Sequence, residues 1–512
     1  MLAKIKSSAV VGLEAVLIDV EVDIASQGLP SFTIVGLPDK AVEEAKERCR
    51  AAIKNSSGEI PAKRITVNLA PAELPKEGAS YDLPIAVGIL TASGDIPQIS
   101  DDSLVLGELS LDGNLRRVTG VLPQVVMAKK TGFKKVFLPK VNEKEAALVS
   151  DIEIYSVENL TQLVKHLSQI ELIKPSKHLV VEEFLDDNED FELDMNQIAG
   201  QEQAKRALEI SAAGFHNILL SGPPGAGKTM LAKTLPSILP RLTFDESLEI
   251  TKIYSVAGKV HSDSPLLRKR PFRSPHHTTS HIGLVGGGNR PRPGEVTLSH
   301  FGVLFLDEFA EFPRVVMEAL RQPLEDGTIT VSRAAGTATY PARFILVAAT
   351  NPCPCGFLGD PKKECVCTQA VVTRYRKRIS GPILDRIDIH LEVPAVEVEK
   401  LTAEGASGET SAEIRERVEN GQDIQRKRFV GSKTRANSQM TNSQVKKFCK
   451  LDLQSLSLLK TAVSELGLSA RGFYKTLKIA RTIADLSQSE EVKLEHLAEA
   501  LQYRPTNLFF LQ

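Results

Sequence analysis

Residues 218–229 read ILLSGPPGAGKT, an apolar run that enters a glycine-rich turn and opens into a helix. Glycines let the backbone curl so that successive N–H groups point inward, and the helix N-terminus adds its dipole to the same concavity. The spacing G-x-x-x-x-G-K-[ST] falls on Gly222, Gly227, Lys228 and Thr229. A buried strand before the turn ("NILLS") and a helix after it ("KTMLAKTLPSIL") predict an α/β core with a parallel sheet. The whole turn (Gly222, Pro223, Pro224, Gly225, Ala226, Gly227, Lys228 and Thr229) has the chemistry of a triphosphate cradle. In it Lys228 reaches the β and γ phosphates, and the Thr229 hydroxyl faces a magnesium ion.

Two further strands complete the chemistry. In "GVLFLDEF" the apolar run Val303 to Leu306 ends in two acids. Asp307 is expected to hold magnesium through water, and Glu308 to polarise the attacking water as general base. "FILVAATN" ends in Asn351, whose amide can orient that water or sense the γ-phosphate; alone, it also reads as a turn asparagine before Pro352.

A chain of 512 residues is too long for one core. At 42% hydrophobic, 25% charged and net charge −1, its composition neither requires nor excludes nucleic acid, because a local basic lining is averaged away. No apolar run approaches the roughly 18–20 residues of a membrane helix. Near the start, Glu14 and Asp19 interrupt the apolar pattern and Val20, Val22 and Ile24 alternate with acids, as in a strand. A cytoplasmic protein without a membrane partner is the expectation. The chain divides into residues 1–172, mixed strands and helices; 173–195, an acidic linker with eight acids and no base over 181–194; 196–395, the phosphate-loop core; and 396–512, a run of amphipathic helices. "DLPIAVGILTAS", in the first block, is a buried helix or a buried strand, and periodicity alone does not decide.

Of the six cysteines, Cys353, Cys355, Cys365 and Cys367 cluster as C-x-C, nine residues, C-x-C. In a reducing compartment such a cluster reads as metal rather than disulfide, and four thiolates fit tetrahedral zinc. The site would be closed and structural, stiffening the loop after Asn351; unligated thiols are the alternative.

These motifs in this order resemble AAA+ ATPases. More closely, "SGPPGAGKTMLAKTLPSILP", "RPFRSPHHTTS", "GEVTLSHFGVLFLDE" and "NPCPCGFLGD" resemble the magnesium-chelatase-related bacterial ATPases of the ComM/YifB type, over essentially the whole chain. The resemblance implies a homo-hexameric ring acting on DNA, with branch-migration helicase activity in natural transformation, and recombination proteins as further partners. "GPILDRIDIH" resembles the segment that presents an arginine finger to the neighbouring subunit, here Arg386; pairing with Asp385 or Asp388 inside its own subunit is the plainer reading. "SARGFYKTLKIARTIADL" resembles a lid helix with a second sensor, which places Arg471 near the γ-phosphate; Arg481, at helical spacing from it, reads as a surface charge.

Two insertions mark the family. "TTSHIGLVGGGNRPRPGEVTLSH" has the glycine and proline density of a projecting loop, with Arg290 and Arg292 near its tip. "GTITVSRAAGTATYPARF" has a hairpin signature with Arg333 at the turn. In a ring these tips would face the pore and grip a phosphate backbone without reading sequence. "RYRKR" (Arg374, Arg376, Lys377, Arg378) could touch DNA or a neighbouring subunit.

"NLAPAELPKEGASYDLPIAVGIL" resembles the protease domain of Lon, a ribosomal S5 domain 2-like α+β fold, with Ser80 at the position of its nucleophile. In register, the partner lysine of the dyad falls on Leu122, which cannot accept a proton. Lys76 and Lys129 are the lysines that could substitute. The expectation is a Lon-like domain without protease activity. A DNA-translocating ATPase therefore leads over a protease, a chelatase motor and a protein remodeller; ATPase stimulation by DNA separates them.

Overall fold

The computed structural model of the chain describes residues 2–56, 58–76, 78–178, 191–288, 291–333, 336–360, 363–395 and 408–504. Arg290, the side chain of Arg333 and most of the acidic stretch, residues 179–190, lie outside the described residues.

The N-terminal part is built on a seven-stranded sheet. Its order is Ser31–Val35, Arg64–Ala70, Glu14–Ile24, Leu2–Val11, Ser103–Val105, Lys135–Pro139 and Glu153–Val157. Leu2–Val11 and Glu14–Ile24 form an antiparallel hairpin in the register Leu2↔Asp23, which puts Ile18, Val20 and Val22 on the buried face and acids on the other. The segment whose periodicity was ambiguous is the helix Asp82–Ser93, ended by Gly94 in the left-handed region. It is buried from Asp82 to Ala92, so no polar stripe could betray its period. At Gly88 a Cβ would lie 2.6 Å from Val22 Cγ2, which is how the helix seats on the sheet.

The second sheet has five strands in the order Phe272–Arg273, Val303–Leu306, Ile345–Thr350, Ile218–Ser221 and Ile389–Glu392, all parallel. Its central strands are continuous apolar runs because helices cover both faces. The registers Ser221↔Thr350 and Leu306↔Ala348 align the strand ends, so the residues that follow them (Gly222, Asp307 and Asn351) emerge along one carboxyl edge.

Two hairpins belong to this part: Gly286–Gly287 with Arg292–Pro293, and Thr328–Arg333 with Gly336–Pro341 in the register Thr328↔Pro341, the second packed into the core by buried Ile329, Val331, Ala338 and Tyr340 rather than projecting over these residues. The sequence signature of the second is a hairpin in the structure.

The C-terminal part is helical: Ser411–Arg428, Asn442–Phe448, Leu453–Glu465, Ala470–Leu486 and Leu494–Gln502. It is clasped to the core by Asp388, a buried acid that precedes the edge strand Ile389–Glu392. Lys475 Nζ lies 2.6 Å from its carboxylate, His216 Nδ1 3.3 Å, and the Asn217 N–H donates to it at 3.2 Å. Burial opposes ionisation of Asp388, but the Lys475 ammonium and His216 hold its carboxyl well below the usual carboxylate range. Arg481 departs from the sequence reading. It is buried, with its guanidinium on Asp485 at 2.8 Å and on the Glu490 carbonyl at 2.7 Å. The paired acid stands four residues away, one turn on the same helix face, which lets an arginine be buried without a bare charge.

The N-terminal sheet also meets the core directly. The Gly120 N–H donates to the Ser255 carbonyl at 3.0 Å, the Ser255 hydroxyl donates to Glu145, and Lys252 pairs with Glu14 at 2.7 Å.

Candidate nucleotide site

The helix Lys228–Ile238 starts at Gly227, whose φ of 85° lies in the left-handed region, and no side chain caps its first turn. Its first N–H groups are thus free to meet an anion. At Gly225 and Gly227 the space before a would-be Cβ is open. Lys228 is buried. Its ammonium donates to the carbonyls of Gly222 at 2.6 Å and Pro223 at 2.9 Å, and to Asn351 Oδ1 at 3.2 Å. Burial lowers its pKa, with Asp307 opposing. A buried cation resting on weak carbonyl acceptors over an open cradle fits a site that takes an anion.

The Thr229 hydroxyl donates to Asp307 Oδ2 at 2.8 Å, which gathers two hard oxygen donors beside the cradle, the donor chemistry magnesium prefers. Glu308 stands in the left-handed region at φ 50°, strain of the kind found at working sites. Its half-exposed carboxylate lies 3.0 Å from His277 Nδ1. His277 stacks against His276 at 4.0 Å between centroids and meets the edge of Phe312. In sequence, "SPHHTTS" carries no role for these histidines beyond family resemblance; a histidine pair just after a strand that borders the acid strand is the signal that marks them.

The arginines gather elsewhere. Arg386 Nη2 lies 2.6 Å from Glu325 Oε1, and Arg471 Nη2 lies 3.2 Å from the same oxygen. Arg386 Nη1 also donates to the Pro382 carbonyl at 2.6 Å, rather than pairing with Asp385 or Asp388. The Asn217 side chain donates to the Arg386 carbonyl at 3.3 Å. Asn217 precedes the strand Ile218–Ser221, whose other end leads into the phosphate loop. Arg386 and Arg471 therefore share a cleft of about 640 Å³ at the amino edge of the sheet, opposite their own chain's cradle. Nothing in the sequence singled out Glu325.

Arg292 lines a second cleft, of about 310 Å³, together with Ser80, Arg117 and Gln124 from the N-terminal part. Ser80 thus faces a real recess. Leu122 is fully buried, Lys76 donates to the Pro71 carbonyl, and Lys129 pairs with Asp151 at 2.9 Å. Of the "RYRKR" run, Arg376 donates to the Pro352 carbonyl at 3.4 Å, Arg378 pairs with Glu311, and Arg374 and Lys377 are exposed.

The four clustered cysteines come together: Cys353, Cys355, Cys365 and Cys367 place their sulfurs within 4.8 Å of one another. A hydrogen bond from the Phe357 N–H pulls the Cys355 thiol down to about 6.

Comparison with known proteins agrees with this architecture. Residues 194–401 match the family "Magnesium chelatase, subunit ChlI", residues 20–142 match "Subunit ChlI of Mg-chelatase", and residues 408–504 match "Magnesium chelatase, subunit ChlI C-terminal". The chain is 44% identical to the Competence protein ComM of Haemophilus influenzae over 506 residues, 98% of this chain and 97% of that one. It is 43% identical to the protein YifB of Escherichia coli over 508 residues, with 98% and 97% covered. An Archaeal Lon protease from Thermococcus kodakarensis is 32% identical over 165 residues, 31% of this chain and 25% of that one. The fold is accordingly a Lon-like α+β part, an AAA+ core with a parallel sheet and a helical C-terminal part. No helix among the described residues is long and apolar enough to cross a membrane. AAA+ ATPases hydrolyse ATP with magnesium, and full-length similarity joined to the phosphate cradle makes this chain a member of the magnesium-chelatase-related AAA+ ATPases of the ComM/YifB type.

Proposed function

We propose that the chain is an ATP-driven DNA motor: a homo-hexameric helicase that promotes branch migration during homologous recombination. The observation that carries the reading is the split of its charged groups. The cradle, Asp307 and Glu308 lie at one edge of the parallel sheet, while Arg386 and Arg471 lie at the other. A site divided in this way is completed when the arginine edge of one copy meets the cradle of the next, and repetition of that contact closes a ring. Lys228 holds the β and γ phosphates, and Thr229 and Asp307 hold magnesium, which supplies charge neutralisation. Asn351 orients the attacking water and Glu308 takes its proton. Arg386 and Arg471 of the adjoining copy meet the charge that develops on the transferred phosphoryl group.

The DNA half rests on the two hairpins and on kinship. Arg290, Arg292 and Arg333 belong to glycine-rich or hairpin tips, and cationic tips repeated around a pore suit backbone tracking. The relative from Haemophilus influenzae is named a competence protein. Leu122 at the position of the dyad lysine disfavours proteolysis. The four cysteines are read as a structural zinc site.

The test is ATP turnover with and without single-stranded or branched DNA across a salt series, together with a branch-migration assay. DNA should stimulate turnover, salt should erode the stimulation, and Lys228→Ala should abolish both activities. Turnover indifferent to DNA but raised by a protein substrate would overturn the motor in favour of a remodeller.

A further inference from the structure

In the segment between Asn351 and the helix Gln369–Arg376 the described residues form no helix or strand. Turn bonds from Gly356 N–H to Cys353 O at 3.0 Å and from Asp360 N–H to Phe357 O at 3.1 Å shape its first half. Its two ends, Cys353–Cys355 and Cys365–Cys367, are brought together at the sulfurs. Cys353 and Cys355 stand 3.3 Å apart, and each lies 3.6 Å from Cys365. A zinc ion at about 2.3 Å from each of four thiolates requires sulfur–sulfur edges of about 3.8 Å. The three edges among Cys353, Cys355 and Cys365 lie within about half an ångström of that length, Cys367 lies within 4.8 Å of the other three, and all four cysteines are free thiols.

The loop touches the nucleotide cradle at two points. Asn351, which accepts from the Lys228 ammonium at 3.2 Å, stands two residues before buried Cys353. At Gly356, φ is +86° and an added Cβ would lie 2.5 Å from Pro224 Cδ and 2.7 Å from Pro224 Cγ. The backbone at Gly356, just after the first pair of cysteines, therefore packs closely against the ring of Pro224, inside the phosphate loop. Behind it, Arg376 donates to the Pro352 carbonyl at 3.4 Å. The loop lies between the cradle and the helix Gln369–Arg376, and its two ends meet at the four sulfurs, which also take backbone N–H groups across the join, Val366 onto Cys355 and Cys355 onto Cys367.

We propose that the four-thiolate site is a zinc-dependent brace of the phosphate loop: zinc bound by Cys353, Cys355, Cys365 and Cys367 fixes Gly356 against Pro224 and Asn351 against Lys228, and so sets nucleotide affinity. This rests on the nucleotide reading of Gly222–Thr229. The coupling is reciprocal. If zinc tightens nucleotide binding by some factor, nucleotide tightens zinc binding by the same factor.

The experiment uses the full chain purified under reducing conditions without chelators. Elemental analysis should find one zinc per chain. Removing it with a high-affinity chelator should weaken binding of a fluorescent ATP analogue by about tenfold, and adding zinc back should restore it. ATP should slow zinc release to a colorimetric chelator. Gly356→Ala keeps all four thiolates; it should retain zinc and still lose nucleotide affinity, which separates the brace from general unfolding of a stripped protein. Zinc absent from the purified chain would overturn the proposal. So would a zinc-loaded Gly356→Ala variant that binds the analogue like the parent while ATP leaves zinc release unchanged. A zinc-loaded parent chain that binds no nucleotide would instead overturn the nucleotide reading, and the brace with it.

Discussion

The two edges of the five-stranded sheet hold complementary chemistry. At the carboxyl edge, backbone N–H groups and a buried lysine surround an open cradle, with Asp307 hydrogen-bonded to Thr229 and Glu308 next to it in the chain, on His277. At the amino edge two arginines converge on a single carboxylate, Glu325. In the proposed reading the first edge takes the phosphate chain and needs further positive charge for the bond-breaking step. The second has that charge and nothing to apply it to. At both edges the working groups are already engaged within the chain: Glu308 by His277, the arginines by Glu325. Under the proposed reading, one copy is two half-sites and the cradle of one copy is completed by the arginine edge of the next.

The most damaging blow to this pairing is Arg386→Ala. With the fork removed, turnover should fall by about 10³-fold while binding of an ATP analogue to the cradle changes little. Turnover measured on a mixture with Glu308→Gln subunits decides where the arginine acts. If Arg386 serves a neighbour, mixed assemblies contain interfaces with an intact arginine on one side and an intact acid on the other, and activity partly returns. Full activity of Arg386→Ala alone would break the comparison outright.

The carboxyl edge was legible in the sequence because its constraints are local. A glycine-rich turn fixes Lys228 and Thr229 by spacing, and an apolar run ending in two acids fixes Asp307 and Glu308. The helix Asp82–Ser93 was not legible, since burial on all sides erases the periodicity that separates helix from strand. The amino edge was half legible. Arg386 and Arg471 could be named from resemblance, but their meeting at Glu325 joins a core helix, a core turn and a lid helix far apart in sequence, and only packing sets that contact. Arg481 read as exposed for the same reason: its partner Asp485 lies on the same polar-looking face, and the bulk of the lid covers both.

Asp388 ties the amino edge to the lid and carries the next largest effect, on stability. Asp388→Asn keeps the shape but strands the buried Lys475 ammonium, a loss of roughly 3–5 kcal/mol. Because the folded carboxyl sits below its ordinary value, its contribution is fully present above about pH 3.9 and is lost as pH falls through the folded value. Thermal unfolding of the parent chain should therefore weaken at acidic pH more steeply than that of Asp388→Asn, with a constant gap between the two at neutral pH. Equal midpoints at pH 7 would mean that the clasp contributes nothing and that the arginine edge is positioned by other contacts.

Glu325→Gln carries the smallest effect and sharpens the comparison most. Glu325 can be a competitor, occupying the arginines until a phosphate from another copy displaces it, or an orienter that aims them. Gln keeps the length and one acceptor oxygen while removing the charge. Arg471 and Glu325 are substantially exposed, so that pair is worth a fraction of a kcal/mol to about 1 kcal/mol; the 2.6 Å contact to the mostly buried Arg386 adds to it, which makes this a lower bound. Releasing a competitor of that strength should lower the apparent KM for ATP by roughly two- to fivefold with kcat unchanged. Loss of an orienter should instead lower kcat and leave KM alone. The effect should shrink in an Arg386→Ala background and vanish when Arg471 is replaced as well, because changes acting through the same contacts do not add. A Glu325→Gln effect that persists without both Arg386 and Arg471 would show that the carboxylate acts through some other contact, and the in-chain engagement at the amino edge would then have no bearing on the partner's phosphate.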